Sequence, residues 1–286
     1  MERLPFFKMT GSGNDFILID NRRGMIPSER CPDLVKAVCR RKLSAGADGV
    51  IIIENDPECD FAWRFYNADG SEAEMCGNGA RCAARFAHLQ GIVSRSTMTF
   101  RTLAGKIQAH VDGLRVRVQM TPPHGYRPNV DVAVADQTLR VHAINTGVPH
   151  VVLFLDSPNT LSQWDVFSVG RALRYHSLFA PAGTNANFAT VLGPSQLKIR
   201  TYERGVEEET LACGTGSIAA ALIAAAHGYV RPPVHVETQS GETLVIHFHQ
   251  AGGEFRDVFL EGDARVVYEG LLWTETLGAA SGKHNH

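Results

Sequence analysis

The stretch Ala73-Glu-Met-Cys76-Gly-Asn-Gly-Ala-Arg-Cys-Ala-Ala84 returns downstream in altered form as Thr210-Leu-Ala-Cys213-Gly-Thr-Gly-Ser-Ile-Ala-Ala-Ala221. Each copy sets a cysteine before Gly-x-Gly, which lets the backbone bend sharply and approach a ligand closely. The helix-forming residues that follow predict helices over 80–90 and 217–227. Both runs are apolar nearly all round and too short to cross a bilayer, which is typical of buried helices. The sequence therefore predicts two central buried helices, each with a cysteine at its N-terminus.

The position of the two cysteines favours a chemical role. Unpaired amide N–H groups and the positive end of the helix dipole stabilise an anion at a helix N-terminus, whether a thiolate or a bound carboxylate, so the pKa of each thiol is expected to fall. A single cysteine among small apolar residues is more often an inert core residue than a nucleophile. Two thiols in matched surroundings, however, suit a reaction in which one face of a carbon loses a proton and the opposite face gains one.

The composition argues against several functional classes. The 286 residues carry a formal net charge of -2, and the basic residues are scattered, without the stripe or aromatic platform of a nucleic-acid-binding protein. We expect no signal sequence, no membrane association, no nucleic-acid partner and a cytoplasmic location. The six cysteines are irregularly spaced, so a disulfide framework is not expected. Because the spacing of Cys76 and Cys82 does not match a zinc knuckle, no metal site is predicted.

The order of strands and turns is similar in the two halves of the chain. A glycine-rich turn before a buried strand at 16–20 parallels the turn 145–150 and the strand 151–155. The stretch 183–187 is predicted as a polar turn. The proline-containing stretch 121–125 is the predicted boundary between two duplicated domains. The sequence thus predicts a first domain over 1–122, completed by a returning segment 265–286, and a second domain over 123–264.

Many short strands with one central helix in each half indicate an α+β protein. We expect two pseudo-symmetric domains, each a curved, mostly antiparallel sheet wrapped around its central helix. If a pseudo-twofold axis relates the halves, both helix N-termini point into the interdomain cleft. A small ligand would bind there, and the active site is expected in that cleft.

A series of distinctive motifs runs along almost the whole chain. The motifs are Lys8-Met-Thr-Gly-Ser-Gly-Asn-Asp-Phe16, Gly46-Ala-Asp-Gly49, Phe65-Tyr-Asn-Ala-Asp-Gly70, Met75-Cys-Gly-Asn-Gly-Ala-Arg-Cys82, Pro149-His150, Gly183-Thr-Asn-Ala-Asn-Phe188, Tyr202-Glu-Arg-Gly205 and Thr210-Leu-Ala-Cys-Gly-Thr-Gly216. In this order they resemble the diaminopimelate epimerase family. The resemblance implies a cofactor-independent enzyme that interconverts LL- and meso-diaminopimelate in lysine and peptidoglycan precursor biosynthesis, with a small amino-acid substrate and a homodimeric state.

The resemblance also implies a role for each matching residue. Cys76 and Cys213 would flank the α-carbon of the substrate, one thiolate abstracting the proton while the other thiol reprotonates the opposite face. Arg204 would bind the distal carboxylate, which arginine can grip bidentately. His150 and Glu203 would support catalysis by tuning the thiols or the reacting ammonium group. The substrate-binding set is Asn14, Asn67, Gly77, Asn78, Asn185, Glu203, Arg204, Gly214 and Thr215.

Some of these roles have simpler alternatives. His150 could be a packed turn residue, and Asn67 could be a turn former, because Asn-Ala-Asp-Gly is good turn sequence. Three positions also depart from the family pattern: Val148 replaces an asparagine found in many members, the loop 205–210 is one residue longer and more acidic, and Gly49 replaces a glutamine that some members carry. These departures concern the distal contacts and leave the cysteine pair intact.

Two other functions remain open at this point. One is an isomerase of the proline-racemase type, which would also use paired cysteines but would leave the distal polar groups unpaired. The other is a non-catalytic thiol protein, either a redox sensor or a small-molecule-binding module. A redox sensor would not need a second anion-binding glycine loop.

Overall fold

The computed structural model describes residues 3–273 and 275, which divide into two units. The first unit takes in the described residues up to Val118 and those from Asp263 onward, and the second is Gln119–Gly262. These boundaries lie slightly before the predicted ones, at 122/123 and 264/265. The end of the predicted returning segment, 276–286, lies outside the described residues.

The first unit is a mixed sheet with two helices. Its strands follow the order β18-β1-β2-β3-β4-β6-β7-β8, with β5 paired to β4. All neighbouring strands are antiparallel except β2 with β3 and β4 with β6. The elements are β1 (Leu4–Gly11), β2 (Asn14–Asp20), α1 (Cys31–Val38), β3 (Gly49–Glu54), β4 (Phe61–Asn67), β5 (Glu72–Ala73), α2 (Gly77–Leu89), β6 (Thr97–Thr102), β7 (Gly105–Asp112), β8 (Arg115–Gln119) and β18 (Arg265–Leu272).

The second unit repeats this arrangement. Its strands follow the order β9-β10-β11-β12-β13-β15-β16-β17, with β14 paired to β13. Its elements are β9 (His124–Val134), β10 (Gln137–Asn145), β11 (Pro149–Phe154), α3 (Pro158–Gln163), α4 (Val166–Arg174), β12 (Asn185–Gly193), β13 (Gln196–Glu203), β14 (Glu208–Thr210), α5 (Gly214–Ala226), β15 (Val234–Glu237), β16 (Thr243–Ala251) and β17 (Glu254–Asp263).

The two topologies match strand for strand. The parallel pair β11 and β12 corresponds to β2 and β3, and the parallel pair β13 and β15 corresponds to β4 and β6. Helix α5 then occupies the place in the chain order that α2 holds in the first unit. The predicted α+β class and the duplication are therefore confirmed.

The central strands of each sheet are apolar on both faces because helices pack on both sides. In the first unit one face of β2 and β3 packs on α1, and Ile51 on the opposite face lies beside Gly79 of α2. In the second unit the outer layer is α3 and α4, and α5 contacts strands from β10 to β16. In each unit, therefore, one central helix packs on one face of the sheet and outer helices pack on the other.

Several local predictions need correction. Both central helices begin directly after the cysteine, three residues earlier than predicted. Helix α2 is not apolar all round, since it contains a fully buried Arg81. The stretch 183–187, predicted as a polar turn, instead leads into β12, where Asn185 and Asn187 are buried. Parallel pairing with β11 satisfies the backbone there, and hydrogen bonds satisfy the two amides.

Candidate functional site

The candidate site residues of the first unit are built around the N-terminus of α2. Cys76 is the N-cap residue of this helix, and its half-buried Sγ accepts a hydrogen bond of 3.5 Å from the backbone N–H of Gly79. An N-cap side chain that accepts from the first turn takes the place of the usual serine or aspartate oxygen. The thiol therefore lies where the helix dipole favours its anionic form.

A chain of amide and guanidinium groups fixes the first turn of α2. Asn78 donates from its side chain to Asn14 (2.8 Å), and its side-chain oxygen accepts from Arg81 (2.9 Å). Arg81 also donates to the hydroxyl of Ser12 (2.8 Å), so the guanidinium ties α2 to the turn between β1 and β2. Asn14 and Asn78, both predicted from the resemblance, thus contact each other directly, and Asn78 is held in place by Arg81, which sequence reasoning missed.

Asn14 is hydrogen-bonded to a cluster of charged residues. Its side chain donates to Asp48 (3.1 Å), and Asp48 and Asp15 both bind Arg41 (2.8 Å each). Lys8 forms an ion pair of 2.6 Å with Asp15. Burial alone would raise the pKa of Asp15, but hydrogen bonds from Lys8 and Arg41 hold it below the ordinary value. The cluster therefore fixes the orientation of the Asn14 side chain through its hydrogen bond to Asp48.

The structure does not bring Asn67 into this network. Asn67 ends β4, is exposed, and donates from its side chain to the hydroxyl of Ser71 (3.1 Å) within its own turn. Its backbone carbonyl accepts from Gly70 (2.9 Å). In this state Asn67 acts as the turn former that its sequence context also allowed.

The candidate site residues of the second unit are built around the N-terminus of α5. Cys213 is the N-cap residue and is buried, and its Sγ lies 3.5 Å from the hydroxyl of Thr215. Glu203 accepts hydrogen bonds from the Thr210 hydroxyl (2.9 Å) and from the Cys213 thiol. Burial raises the pKa of Glu203 above its ordinary value, although these two hydrogen bonds oppose the rise. A carboxyl group whose pKa is raised by burial thus contacts the thiol.

His150 lies on β11 and is buried. Its Nδ1 is 3.1 Å from the side-chain nitrogen of Asn187. Burial lowers the pKa of His150 to about 3, and the Arg204 charge adds to this effect, so the imidazole is neutral. His150 is therefore not the packed turn residue of the simpler alternative, because it lies in a strand with its ring in a buried polar network.

Asn185 on β12 and Arg204, the residue that follows β13, are brought together. The side-chain oxygen of Asn185 accepts from the backbone N–H of Arg204 (2.7 Å), and its nitrogen donates to the carbonyl of Pro149 (3.1 Å). The Arg204 guanidinium donates to the carbonyl of Ala182 (2.8 Å). Pro149, Ala182 and His150 also line a cavity of about 220 Å³ in the second unit.

The longer acidic loop has its own anchor. Glu207 accepts from Arg174 of α4 (3.1 Å), from the backbone N–H of Gly205 (3.0 Å) and from the Tyr202 hydroxyl (3.3 Å). The loop that separates Arg204 from Cys213 is thereby tied to the outer helix. Sequence reasoning noted the extra acidic residue but could not assign it this partner.

Within residues 3–273 and 275, no three histidine, cysteine, aspartate or glutamate side chains are grouped as metal ligands would be. Over the same part of the chain, the six cysteines form no disulfide. The helices described there include none that is long and apolar enough to span a membrane.

The chain is similar to one enzyme family over nearly its full length. A family model described as diaminopimelate epimerase matches residues 6–125 and 142–267. A diaminopimelate epimerase of Hydrogenobaculum sp. (strain Y04AAS1) is 47% identical over 275 residues, covering 93% of this chain and 97% of that protein. One from Aquifex aeolicus (strain VF5) is 45% identical over 285 residues, covering 96% of this chain and 99% of that protein.

Solved structures of more distant proteins share the fold. A PhzF-family phenazine biosynthesis protein of Bacillus anthracis has a TM-score of 0.74 at 14% identity, covering 96% of this chain and 100% of that chain. A probable proline racemase from Agrobacterium radiobacter K84 has a TM-score of 0.68 at 12% identity, covering 95% of this chain and 93% of that chain. At such low identity the likeness establishes the fold alone.

Proposed function

The chain belongs to the diaminopimelate epimerase family of isomerases, and we propose that it interconverts LL- and meso-2,6-diaminopimelate without a cofactor. The observation that carries this proposal is the matched pair of central helices, each capped by a cysteine and followed by Gly-x-Gly. The relatives that bear this name align with more than nine-tenths of the chain, which supports the same substrate.

We infer that Cys76 and Cys213 act on one α-carbon of the substrate. One cysteine, as the thiolate, removes the α-proton, and the other, as the thiol, delivers a proton to the opposite face. After one turnover the thiol and the thiolate have exchanged places, so the proton count of the enzyme is unchanged and the reverse reaction uses the same pair. Support comes from the N-cap position of each sulfur, where a helix N-terminus stabilises a thiolate.

The carbanion must be stabilised by the protein itself. Backbone amides of Gly77, Asn78, Gly214 and Thr215 begin the two helices and offer N–H donors to the α-carboxylate, which gains charge as the proton leaves. Such donors are effective in a water-poor site because little solvent screening opposes them. Glu203 contacts the Cys213 thiol and thereby influences whether Cys213 is a thiol or a thiolate.

The distal amino-acid head of the substrate is assigned to Asn14, Asn67, Asn185 and Arg204. Asn185 and Arg204 already share a hydrogen bond, which favours a joint role for them. An isomerase of small cyclic amino acids would have no use for this polar set. We further propose a place in lysine and peptidoglycan precursor biosynthesis, a homodimeric state and a cytoplasmic location.

The proposal is tested by incubating reduced protein with LL-diaminopimelate in deuterated water. We expect deuterium at the α-carbon and formation of the meso form. Cys76→Ala and Cys213→Ala should each abolish interconversion, while Cys59→Ala, at a half-buried cysteine outside the site, should retain it. If fully reduced wild-type protein gives neither exchange nor epimerisation, the assignment is wrong.

A further inference from the structure

Asn187 is a fully buried residue of β12, and both the nitrogen and the oxygen of its side-chain amide have hydrogen-bond partners. Its amide nitrogen donates to the carbonyl of Val151 (2.8 Å) and lies 3.1 Å from Nδ1 of His150. Its oxygen accepts from the hydroxyl of Thr201 (3.0 Å). Because a backbone carbonyl can only accept, the NH₂ group of Asn187 must face Val151. The orientation of the amide is therefore fixed by its surroundings.

This orientation fixes the tautomer of His150. The NH₂ group that binds Val151 also faces the imidazole, so Nδ1 of His150 can only accept a hydrogen bond. A neutral imidazole that accepts at Nδ1 carries its proton at Nε2. Within residues 3–273 and 275, Nε2 is buried and has no hydrogen-bond partner. A buried N–H donor without an acceptor is costly, which suggests that a ligand supplies the acceptor.

The same amide lies against helix α5, which begins after Cys213. The side-chain oxygen of Asn187 fills the space beside Gly216 in the first turn of α5, and the Cys213 sulfur borders the same space. Asn187 thus connects the imidazole of His150 with the turn that carries the thiol.

We propose that Asn187 is a positioning residue that holds His150 as a neutral Nε2–H donor to a carboxylate oxygen of the amino-acid substrate. The inference rests on the proposed function for its substrate and deepens it. His150 is then neither an acid nor a base, and it cannot accept a proton from the substrate ammonium group. The hydrogen bond from its Nε2–H to the carboxylate strengthens as negative charge develops on that group during proton abstraction.

The test is a long-range proton–nitrogen NMR spectrum of the full-length protein with ¹⁵N-labelled histidines, in which His150 is assigned from the signal that His150→Gln removes. We expect the proton on Nε2 in the wild type. Asn187→Asp is nearly isosteric but can only accept, so it should move the proton to Nδ1 and lower kcat/KM by about a hundredfold. The matched variant Thr201→Val removes a hydrogen bond from the same amide and should leave the proton on Nε2.

A proton on Nδ1 in the wild type overturns the proposal, as does undiminished kcat/KM in Asn187→Asp after the proton has moved. If Asn187→Asp does not fold, His150→Gln, which keeps a donor, is compared with His150→Leu, which does not. Equal kcat/KM in these two variants contradicts a donor role. Failure of the proposed function would look different, since wild-type protein would not epimerise diaminopimelate whatever the tautomer.

Discussion

The side-chain oxygen of Asn187 occupies the space that a Cβ on Gly216 would need. The first turn of α5 can therefore pack directly on the amide that contacts His150. Glycine at 216 is required by this close approach, because the amide is held by three hydrogen bonds and cannot turn aside.

Gly216→Ala is expected to destabilise the protein by about 2 kcal/mol, because the added methyl group overpacks a rigid site. The measurement is the free energy of unfolding in urea. Gly193→Ala is the matched control, since a Cβ there meets only the end of the Gln196 side chain at 3.7 Å. The two variants should differ clearly, and equal stability would show that the turn can move away from Asn187.

Arg81→Lys is expected to cost about 3 kcal/mol of unfolding free energy. Lysine keeps the charge, but its ammonium group ends short of the guanidinium nitrogen that binds both Ser12 and Asn78, which leaves buried polar groups without partners. Arg140→Lys, in an exposed ion pair with Asp131, should change stability by less than about 0.5 kcal/mol. If Arg81→Lys loses no more unfolding free energy than Arg140→Lys, the buried network adds nothing to the stability of the protein.

Glu203→Gln is expected to lower the pKa of the Cys213 thiol, because a neighbouring carboxylate opposes the thiolate charge. The pH midpoint of Cys213 alkylation, followed on its own peptide by mass spectrometry, should fall by roughly one unit. Glu208→Gln makes the same change of charge at an exposed position and should leave the midpoint in place. An unchanged midpoint in Glu203→Gln would rule out this electrostatic contact.

His142 makes the stability depend on pH. Burial, with a contribution from His227, lowers its pKa to about 4 from an ordinary value of 6.5. Between these values the unfolded chain binds a proton that the folded protein does not, so stability falls as pH decreases, by up to about 1.4 kcal/mol per pH unit from this group.

The slope of unfolding free energy against pH between about 5 and 6.5 should therefore be smaller in His142→Gln than in the wild type. His110→Gln, at an exposed position, is the control and should retain the wild-type slope. The prediction is wrong if His142→Gln and the wild type have the same slope.

The cysteine caps and the duplication could be predicted because they depend on local sequence. Cys-Gly-x-Gly before an alanine-rich run specifies a helix start whatever its surroundings, and its second occurrence indicates a second unit. The turn predicted at 183–187 was wrong because local polarity suggested exposure. Burial of Asn185 depends on Pro149 in β11 and on Arg204 just after β13, which are far away in the chain.

The amino-acid sequence by itself determined the α+β class, the repeated units, the two helix-capping cysteines and the family. Only the tertiary structure decided that Arg81 joins Ser12 to Asn78, that Glu203 contacts Cys213, and that Asn187 faces His150. The physical reason is that helix starts follow from neighbouring residues, whereas a buried hydrogen bond depends on which distant strands are brought side by side.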